Sequence, residues 1–369
     1  MISLEKFGFQ TGEGRTVGKQ VFYELMKARR SILYTFQRPF EPAMTRHWDK
    51  TRMQRIRFTE GKSELSRKVA VFLIFQPDGI RETTFLTLKG LAAAGYSPVI
   101  ISNCAVPESS KDRLRENVTM ILERPNLGYD FGGYRDGIWW VDKQFVDLDE
   151  IIILNDSFWF ADGTGEVALS QLQTSNDPVV GYFGAENSRG KTKVIHSFLF
   201  LVRHAALVAP EFNSYWSDMT LMHSKTDIVQ KCEARMAQEM VSAELKSAVI
   251  HQPGAAYDLL WDFIRNKDLE VLDELLFMVK TRRAEVSRIT DAMHSGELSL
   301  LAGKEALAPI ISRLPIFETF AFLGLRDLNY GILKRKFITS PGAARDKFLQ
   351  LLETDPSLVC DEVWKELVS

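Results

Sequence analysis

The chain has little that marks a secreted, membrane-spanning or nucleic-acid-binding protein. Its three cysteines, Cys104, Cys232 and Cys360, are scattered through 369 residues. With no Cys-x-x-Cys or Cys/His grouping, the pattern supports neither a disulfide framework nor a zinc site. That usage suits a reducing, cytoplasmic compartment. No apolar run reaches the ~18 residues of a membrane-crossing helix. The opening Met1-Ile2-Ser3-Leu4-Glu5-Lys6 lacks the apolar core of a signal peptide. Charge of one sign is also missing: 46 basic and 48 acidic residues leave a net charge of -2. Nothing there draws the whole molecule to nucleic acid, and no recognition motif for it is visible, so no nucleic-acid partner is expected. A Gly-x-x-x-x-Gly-Lys-[Ser/Thr] phosphate loop is absent, which weakens a hydrolase or phosphotransferase reading.

What is present is the composition of a globular protein, 45% apolar and 25% charged, long enough for one large domain or two ordinary ones. Residues 1–67 read as an N-terminal helix and arm. The helix spans 15–34, basic and amphipathic, fit for a core, a partner subunit or a membrane surface. The polar stretch 36–67, with Pro39 and Pro42, reads as an extended arm.

From Lys68 to about residue 252 the pattern is regular α/β. Val69–Phe75 is a continuous apolar run, as a strand buried on both faces requires. Further strands are expected at 98–102, 118–122, 150–154, 178–183 and 197–202. Helices fall at 80–94 (stopped by Gly95), 110–117, 131–143 and 225–245. Alternation at these spacings predicts a mostly parallel sheet flanked by helices. Residues 184–193 read as a polar substrate loop. Residues 253–369 read as mainly helical.

Two segments carry the chemistry. The first is the turn Asn126-Leu127-Gly128-Tyr129-Asp130-Phe131-Gly132-Gly133-Tyr134-Arg135-Asp136-Gly137, between a strand and a helix. It is not the Gly-x-Gly-x-x-Gly dinucleotide fingerprint. Its glycines allow backbone amides close to phosphates, and its acids can hold sugar hydroxyls or a cation. The second is Leu154-Asn155-Asp156-Ser157, an apolar strand ending on an acid. In open α/β sheets the ligand crevice lies at such strand ends. A lone acid there implies pairing, hydrogen bonding or a divalent ion, Mg or Mn, which needs only one or two carboxylates when it also holds a diphosphate. Three weaker candidates are His196-Ser197 at a strand start, Glu233 within a helix, and Lys334-Arg335. Composition alone reads the last as a solvated face, whereas beside a diphosphate those cations would stabilise departing charge.

These pieces, in this order, resemble the rhamnan synthesis F family of bacterial polysaccharide biosynthesis. The resemblance rests on Phe75-Gln76-Pro77-Asp78, the Gly-Tyr-Asp turn, Asn155-Asp156-Ser157, His196-Ser197-Phe198, Lys225 through Glu233, and Gly331-Ile332-Leu333-Lys334-Arg335. It covers about residues 68–252 and 316–341. It implies a GT-A-like domain over 68–252, binding a nucleotide sugar and completed near 331–336. It also implies a glycosyltransferase using a nucleoside-diphosphate sugar, dTDP-rhamnose-like, with a glycan or lipid-linked glycan as acceptor.

On that resemblance Asp156 faces the donor diphosphate, directly or through a metal, and Glu233 is the catalytic base of an inverting reaction. Donor contacts fall to Asn126, Gly128, Asp130, Gly132, Gly133, Asp136, Asn155, Ser157, Lys334 and Arg335, with His196 and Ser197 auxiliary. The implied setting is the cytoplasm, with peripheral contact at the inner membrane face. Residues 254–315 do not match the family pattern and suggest an inserted or oligomerising segment. A non-catalytic glycan-assembly subunit on the same fold is the alternative.

Overall fold

Runs of β-branched and aliphatic residues build the centre of the molecule, because only a strand covered on both faces can be apolar at every position. In the computed structural model these are β2 (Lys68–Ile74), β3 (Ser97–Ser102), β4 (Met120–Glu123) and β5 (Glu150–Asn155). Every residue of β3 and β5 is buried, and every residue of β2 but Lys68. The structure describes residues 36, 38–144, 147–186, 192–242, 245–266, 283–312, 314–335 and 342–369. The helix expected at 15–34 lies outside them, as do residues 187–191 of the polar loop and 267–282 of the helical stretch.

The described sheet has nine strands in the order β1-β4-β3-β2-β5-β9-β7-β10, with β8 (Thr192–Ile195) paired to β7. The run β4-β3-β2-β5 is parallel throughout. Beyond it β9 (Leu199–Arg203) lies antiparallel between β5 and β7 (Val179–Glu186). Helices flank this sheet, so the mixed α/β architecture with a mostly parallel centre, expected of a GT-A-like domain, is present.

Several elements depart from expectation. The arm at 36–67 is ordered: α1 (Glu41–Arg55) leads into β1 (Arg57–Glu60), which pairs antiparallel with β4. Ser247–His251 forms β10, parallel to β7. Ile332–Lys334 forms β11, which pairs with β6 (Phe158–Phe160) in a separate two-stranded ribbon. In chain order the remaining helices near the site are α2 (Glu82–Ala93), α3 (Glu108–Arg115), α4 (Tyr129–Gln144), α5 (Glu166–Thr174), α6 (His204–Leu207), α7 (Pro210–Ser217), α8 (Lys225–Ile228) and α9 (Ala234–Ser242).

Described helices after residue 253 pack on the sheet. Leu307, Phe320, Phe348 and Leu367 share one buried cluster with Leu154, Val180 and Leu201 of the sheet.

Helix α4 sits on the opposite face, and its glycines explain how closely. A Cβ on Gly133 would stand 2.0 Å from a methyl of Leu73, and one on Gly132 2.1 Å from the Leu127 carbonyl oxygen. Gly128 and Tyr129 both take left-handed backbone angles, φ +76° and +50°, to turn the chain into this helix. Asp136 lies on the buried side of α4. Its carboxylate accepts from Arg124 Nε at 2.7 Å and from Trp48 Nε1 of α1 at 3.0 Å, and neither partner of the Arg124–Asp136 pair has any exposed surface. Asp136→Ala leaves the Arg124 charge buried with fewer partners. We expect a loss of about 3–5 kcal/mol, measured as a lower urea midpoint.

Candidate functional site at the strand ends

Polar residues appear where the parallel strands stop. Arg124 follows β4, Asn103 follows β3, Phe75 and Gln76 follow β2, and Asn155-Asp156 close β5. Each is at the C-terminal end of its strand, the rim on which open α/β sheets bind ligands. Arg124 holds the glycine turn in place: its guanidinium donates to Asn103 Oδ1 and to the Leu127 carbonyl at 2.7 Å. Asn103 in turn donates to Asn126 Oδ1 and to the Tyr129 carbonyl, each at 3.1 Å.

The expected acids converge. Asn155 Nδ2 donates to Asp130 Oδ2 at 3.2 Å. Asp156 Oδ2 accepts from the Phe75 backbone N–H at 3.1 Å and from Gln76 Nε2 at 2.9 Å, with Arg81 Nη1 at 3.6 Å. Asp156 is therefore held as an oriented carboxylate rather than a lone buried charge. Burial raises the Asp130 pKa above the ordinary carboxylate value. The Lys225 and Lys334 charges oppose that shift, and Asp156 and Glu233 reinforce it. Asp130 thus feels two cations and two acids at once.

The C-terminal ribbon delivers the cation. Pairing of β11 with β6 sets Lys334 opposite Phe158, so Lys334 Nζ reaches Ser157 Oγ at 2.6 Å. Ser157 itself donates to Asn155 Oδ1 from both its backbone N–H and its hydroxyl. The ammonium lies 3.7 Å from the centre of the Phe198 ring. Burial lowers the Lys334 pKa to about 7, although Asp130, Glu233 and Glu318 each pull it upward.

Glu233 closes the set. It ends a π-helical turn, Val229–Glu233, between α8 and α9. Such turns are rare and frequent at functional sites. Glu233 Oε1 accepts from the Ser197 backbone N–H at 3.1 Å and lies 3.5 Å from His196 Nδ1. Burial alone would raise the Glu233 pKa. The contacts from His196 and Ser197 and the Lys334 charge outweigh it, so the group is held below the ordinary value and stays ionised. The His196 ring stacks on Phe198 and meets Phe317 edge-on at 4.9 Å. A chain of contacts thus runs from Asp130 through Asn155, Ser157, Lys334 and Phe198 to His196 and Glu233.

Four expected donor contacts take other places. Asp136 is spent on Arg124 and Trp48 on the far side of α4. Gly132 and Gly133 are buried, their Cα atoms covered by Leu127 and Leu73. Arg335 turns away from Lys334: it donates to Glu366 at 2.6 Å and to Thr83 Oγ1 at 2.7 Å, and lies over Trp159. It clamps the last helix, Asp361–Val368, to the sheet. Gly128 is buried in its turn, while Asn126 is exposed at the rim.

Gln76, Arg81, Lys225 and Phe317 were not singled out as site residues, though Gln76 and Lys225 fall in quoted family segments. Only Gln76 carries a sequence signal, a polar residue directly after an apolar strand. A separate cavity of about 620 Å³, lined by Arg38, Tyr215, Met219, Cys232 and Arg235 among others, includes none of the rim acids or Lys334. Burial pushes its one thiol, Cys232, up to about 12, so it offers volume rather than chemistry.

No three His, Cys, Asp or Glu side chains among the described residues form a protein-only metal cage. A divalent ion shared with a diphosphate needs less, one or two carboxylates, and Asp156 and Asp130 are the carboxylates that stand at this rim. Nor is any helix among the described residues long and apolar enough to cross a membrane.

Fold and rim together define an α/β domain with acids and a lysine gathered at its strand ends. The chain belongs to the rhamnan synthesis protein F family, whose model matches residues 98–295. The uncharacterized protein y4gN of Sinorhizobium fredii (strain NBRC 101917 / NGR234) is 32% identical over 181 residues, 49% of this chain and 47% of that protein. The chain thus spans about half the length of that curated relative. Among solved structures, a glycosyltransferase involved in glycosylation of the major capsid of PBCV-1 is 12% identical with a TM-score of 0.27, over 50% of this chain and 82% of that one. A Drosophila β-1,4-galactosyltransferase 7 mutant in complex with manganese, UDP-Gal and xylobiose is 11% identical with a TM-score of 0.25, over 50% of this chain and 65% of that one.

Proposed function

We propose that the protein is a glycosyltransferase of surface-polysaccharide synthesis. It moves a sugar, rhamnose by preference, from a nucleoside-diphosphate donor to a glycan or lipid-linked glycan, with inversion. One observation carries this reading: an ionised carboxylate, a half-buried lysine and Asp130 are joined by continuous contacts along one rim, with Asp156 oriented beside them by Gln76 and the Phe75 amide. Family membership supplies the polysaccharide context.

In this mechanism Glu233 removes the proton of the acceptor hydroxyl, with His196 and the Ser197 amide fixing its orientation. The acceptor oxygen forms a bond to the anomeric carbon. On the opposite face the bond from that carbon to the diphosphate oxygen breaks, and the electron pair leaves with the nucleoside diphosphate. Lys334, held by Ser157, stands where that charge collects. Asp130 and Asn126 hold sugar or ribose hydroxyls. A divalent ion between Asp156, Asp130 and the diphosphate would neutralise further charge.

Asp156→Ala removes the acceptor for Gln76 and the Phe75 amide, and is expected to abolish nucleoside diphosphate release while the chain stays folded. Release at the wild-type rate would take Asp156 out of the site. Donor binding by the wild type without release, even with a glycan acceptor present, would favour a non-catalytic assembly subunit.

A further inference from the structure

Helix α1 presents an unusual outer face. Four of the nine large apolar side chains exposed among the described residues fall within 36–53: Phe36 at 72%, Phe40 at 63%, Met44 at 37% and Met53 at 63%. Interleaved with them are the exposed cations Arg38, Arg46, Lys50, Arg55 and Arg57. Between residues 38 and 59 no carboxylate is exposed, and the exposed Glu108 of α3 stands 3.9 Å from Arg57 at one end of the patch. Glu41 is buried and accepts from the His223 backbone N–H at 2.7 Å, while Asp49 is half-buried and taken by both terminal nitrogens of Arg135. In a chain of net charge -2 this is a local departure in sign.

The face is also rigidly mounted. Trp48 donates to Asp136, Thr45 Oγ1 accepts from the Leu221 N–H at 2.9 Å, and Arg52 lies 4.1 Å from the Trp139 ring centre. Beside it opens a cavity of about 320 Å³ lined by Phe40, Met44, His47, Arg55 and, from the glycine turn, Leu127. The apolar and basic surface therefore reaches the turn that carries Asn126 and Asp130 to the strand-end rim.

We propose that this face of α1 docks on a bilayer surface bearing anionic headgroups. Exposed aromatic and methionine side chains next to lysine and arginine, in an excess of cations over exposed acids, match the two components of interfacial binding: apolar insertion to headgroup depth and attraction to negative lipid. A protein groove would supply apolar contact but gives no reason for Arg38, Arg46, Lys50 and Arg55 to crowd a stretch that exposes no acid of its own. Docked this way, the rim at Leu127 and Asn126 lies beside the lipid surface, where a lipid-linked acceptor presents its sugar. That consequence rests on the proposed function, whereas the docking itself does not.

The test uses the full chain and vesicles of phosphatidylcholine with and without phosphatidylglycerol, read by co-sedimentation without donor or acceptor, so its outcome is independent of transferase activity. We expect binding to the anionic vesicles on the order of tenfold tighter than to the neutral ones. Arg46→Glu with Lys50→Glu should remove that preference. Phe40→Ser with Met44→Ser should weaken binding even at low salt. All four positions are exposed, and an unchanged melting temperature confirms that the variants fold. Equal binding to both vesicle types, or wild-type binding by both double variants, would overturn the proposal. So would a preference that follows removal of residues 1–35 instead of the α1 substitutions.

Discussion

Glu233→Gln lowers the rate of sugar transfer about 10²–10⁴-fold while leaving donor affinity little changed. The amide keeps the shape and can still accept from the Ser197 N–H, so the fold around the π-helical turn is preserved. What it loses is the capacity to take a proton. Because Glu233 is held ionised by His196, Ser197 and Lys334, the wild-type base is available throughout the neutral range. Its protonation limits the rate only in acid, below the ordinary glutamate pKa. His196→Ala should lower the rate less and move that acid limb upward, since one of the groups holding Glu233 ionised is gone. A pH–rate profile for both variants measures this. Equal rates for Glu233→Gln and wild type would assign the proton transfer elsewhere.

Lys334→Met lowers the transfer rate about 10²–10³-fold, the scale for removing one preorganised charge-stabilising group. It also changes two pH dependences, whose signs follow from the pKa of about 7 in the folded protein against 10.5 for the free side chain. Between those values the unfolded chain binds a proton that the folded chain lacks, so stability rises with pH from about 7 upward. The cost of burying the charged lysine is fully present below pH 7. Lys334→Met should therefore raise the melting temperature at pH 6 and have progressively less effect toward pH 10. Donor binding runs the other way. A diphosphate favours the ammonium form, so binding takes up a proton, and Kd rises above pH 7 with a limiting slope of about tenfold per unit. Lys334→Met should flatten that slope. Calorimetry in buffers of different ionisation enthalpy reads the proton uptake directly.

The centre of the fold was legible in the sequence because a two-sided strand leaves no room for polar residues. β2, β3, β4 and β5 stand within about two residues of where the apolar runs place them. The arm at 36–67 was misread for an equally physical reason. The core side of α1 consists of Glu41, Thr45 and Trp48, each satisfied by a hydrogen bond to a distant partner, so no apolar stripe marks the helix. β11 is three residues long, and its pairing partner β6 lies more than 170 positions earlier, beyond the reach of local pattern.

Within the site, Asp130 and Asp156 were read from their strand-end context and do converge. Asp136 and Asp130 looked alike in sequence. Six residues along a helix is about 240° of rotation, which sends Asp136 into the core and leaves Asp130 at the rim. Lys334 ends β11 and Arg335 lies just beyond it, and their side chains part, one to Ser157 and the other to Glu366. Glu233 had no local signal. Its place depends on the π-helical turn and on the return of the β8–β9 connection that brings His196 and Ser197 beside it.

The central claim is that the strand-end rim binds a nucleoside-diphosphate sugar through Asp130, Asp156 and Lys334. It is tested most directly by thermal denaturation of the full chain against a panel of nucleoside-diphosphate sugars, with and without Mg or Mn. A selective donor at 100 times its Kd should add about 2.7 kcal/mol of stability. The shift should be confined to one or a few donors, lost in Asp130→Ala and reduced in Lys334→Met. No stabilisation by any member of the panel, or the same shift in both variants as in the wild type, would contradict the account.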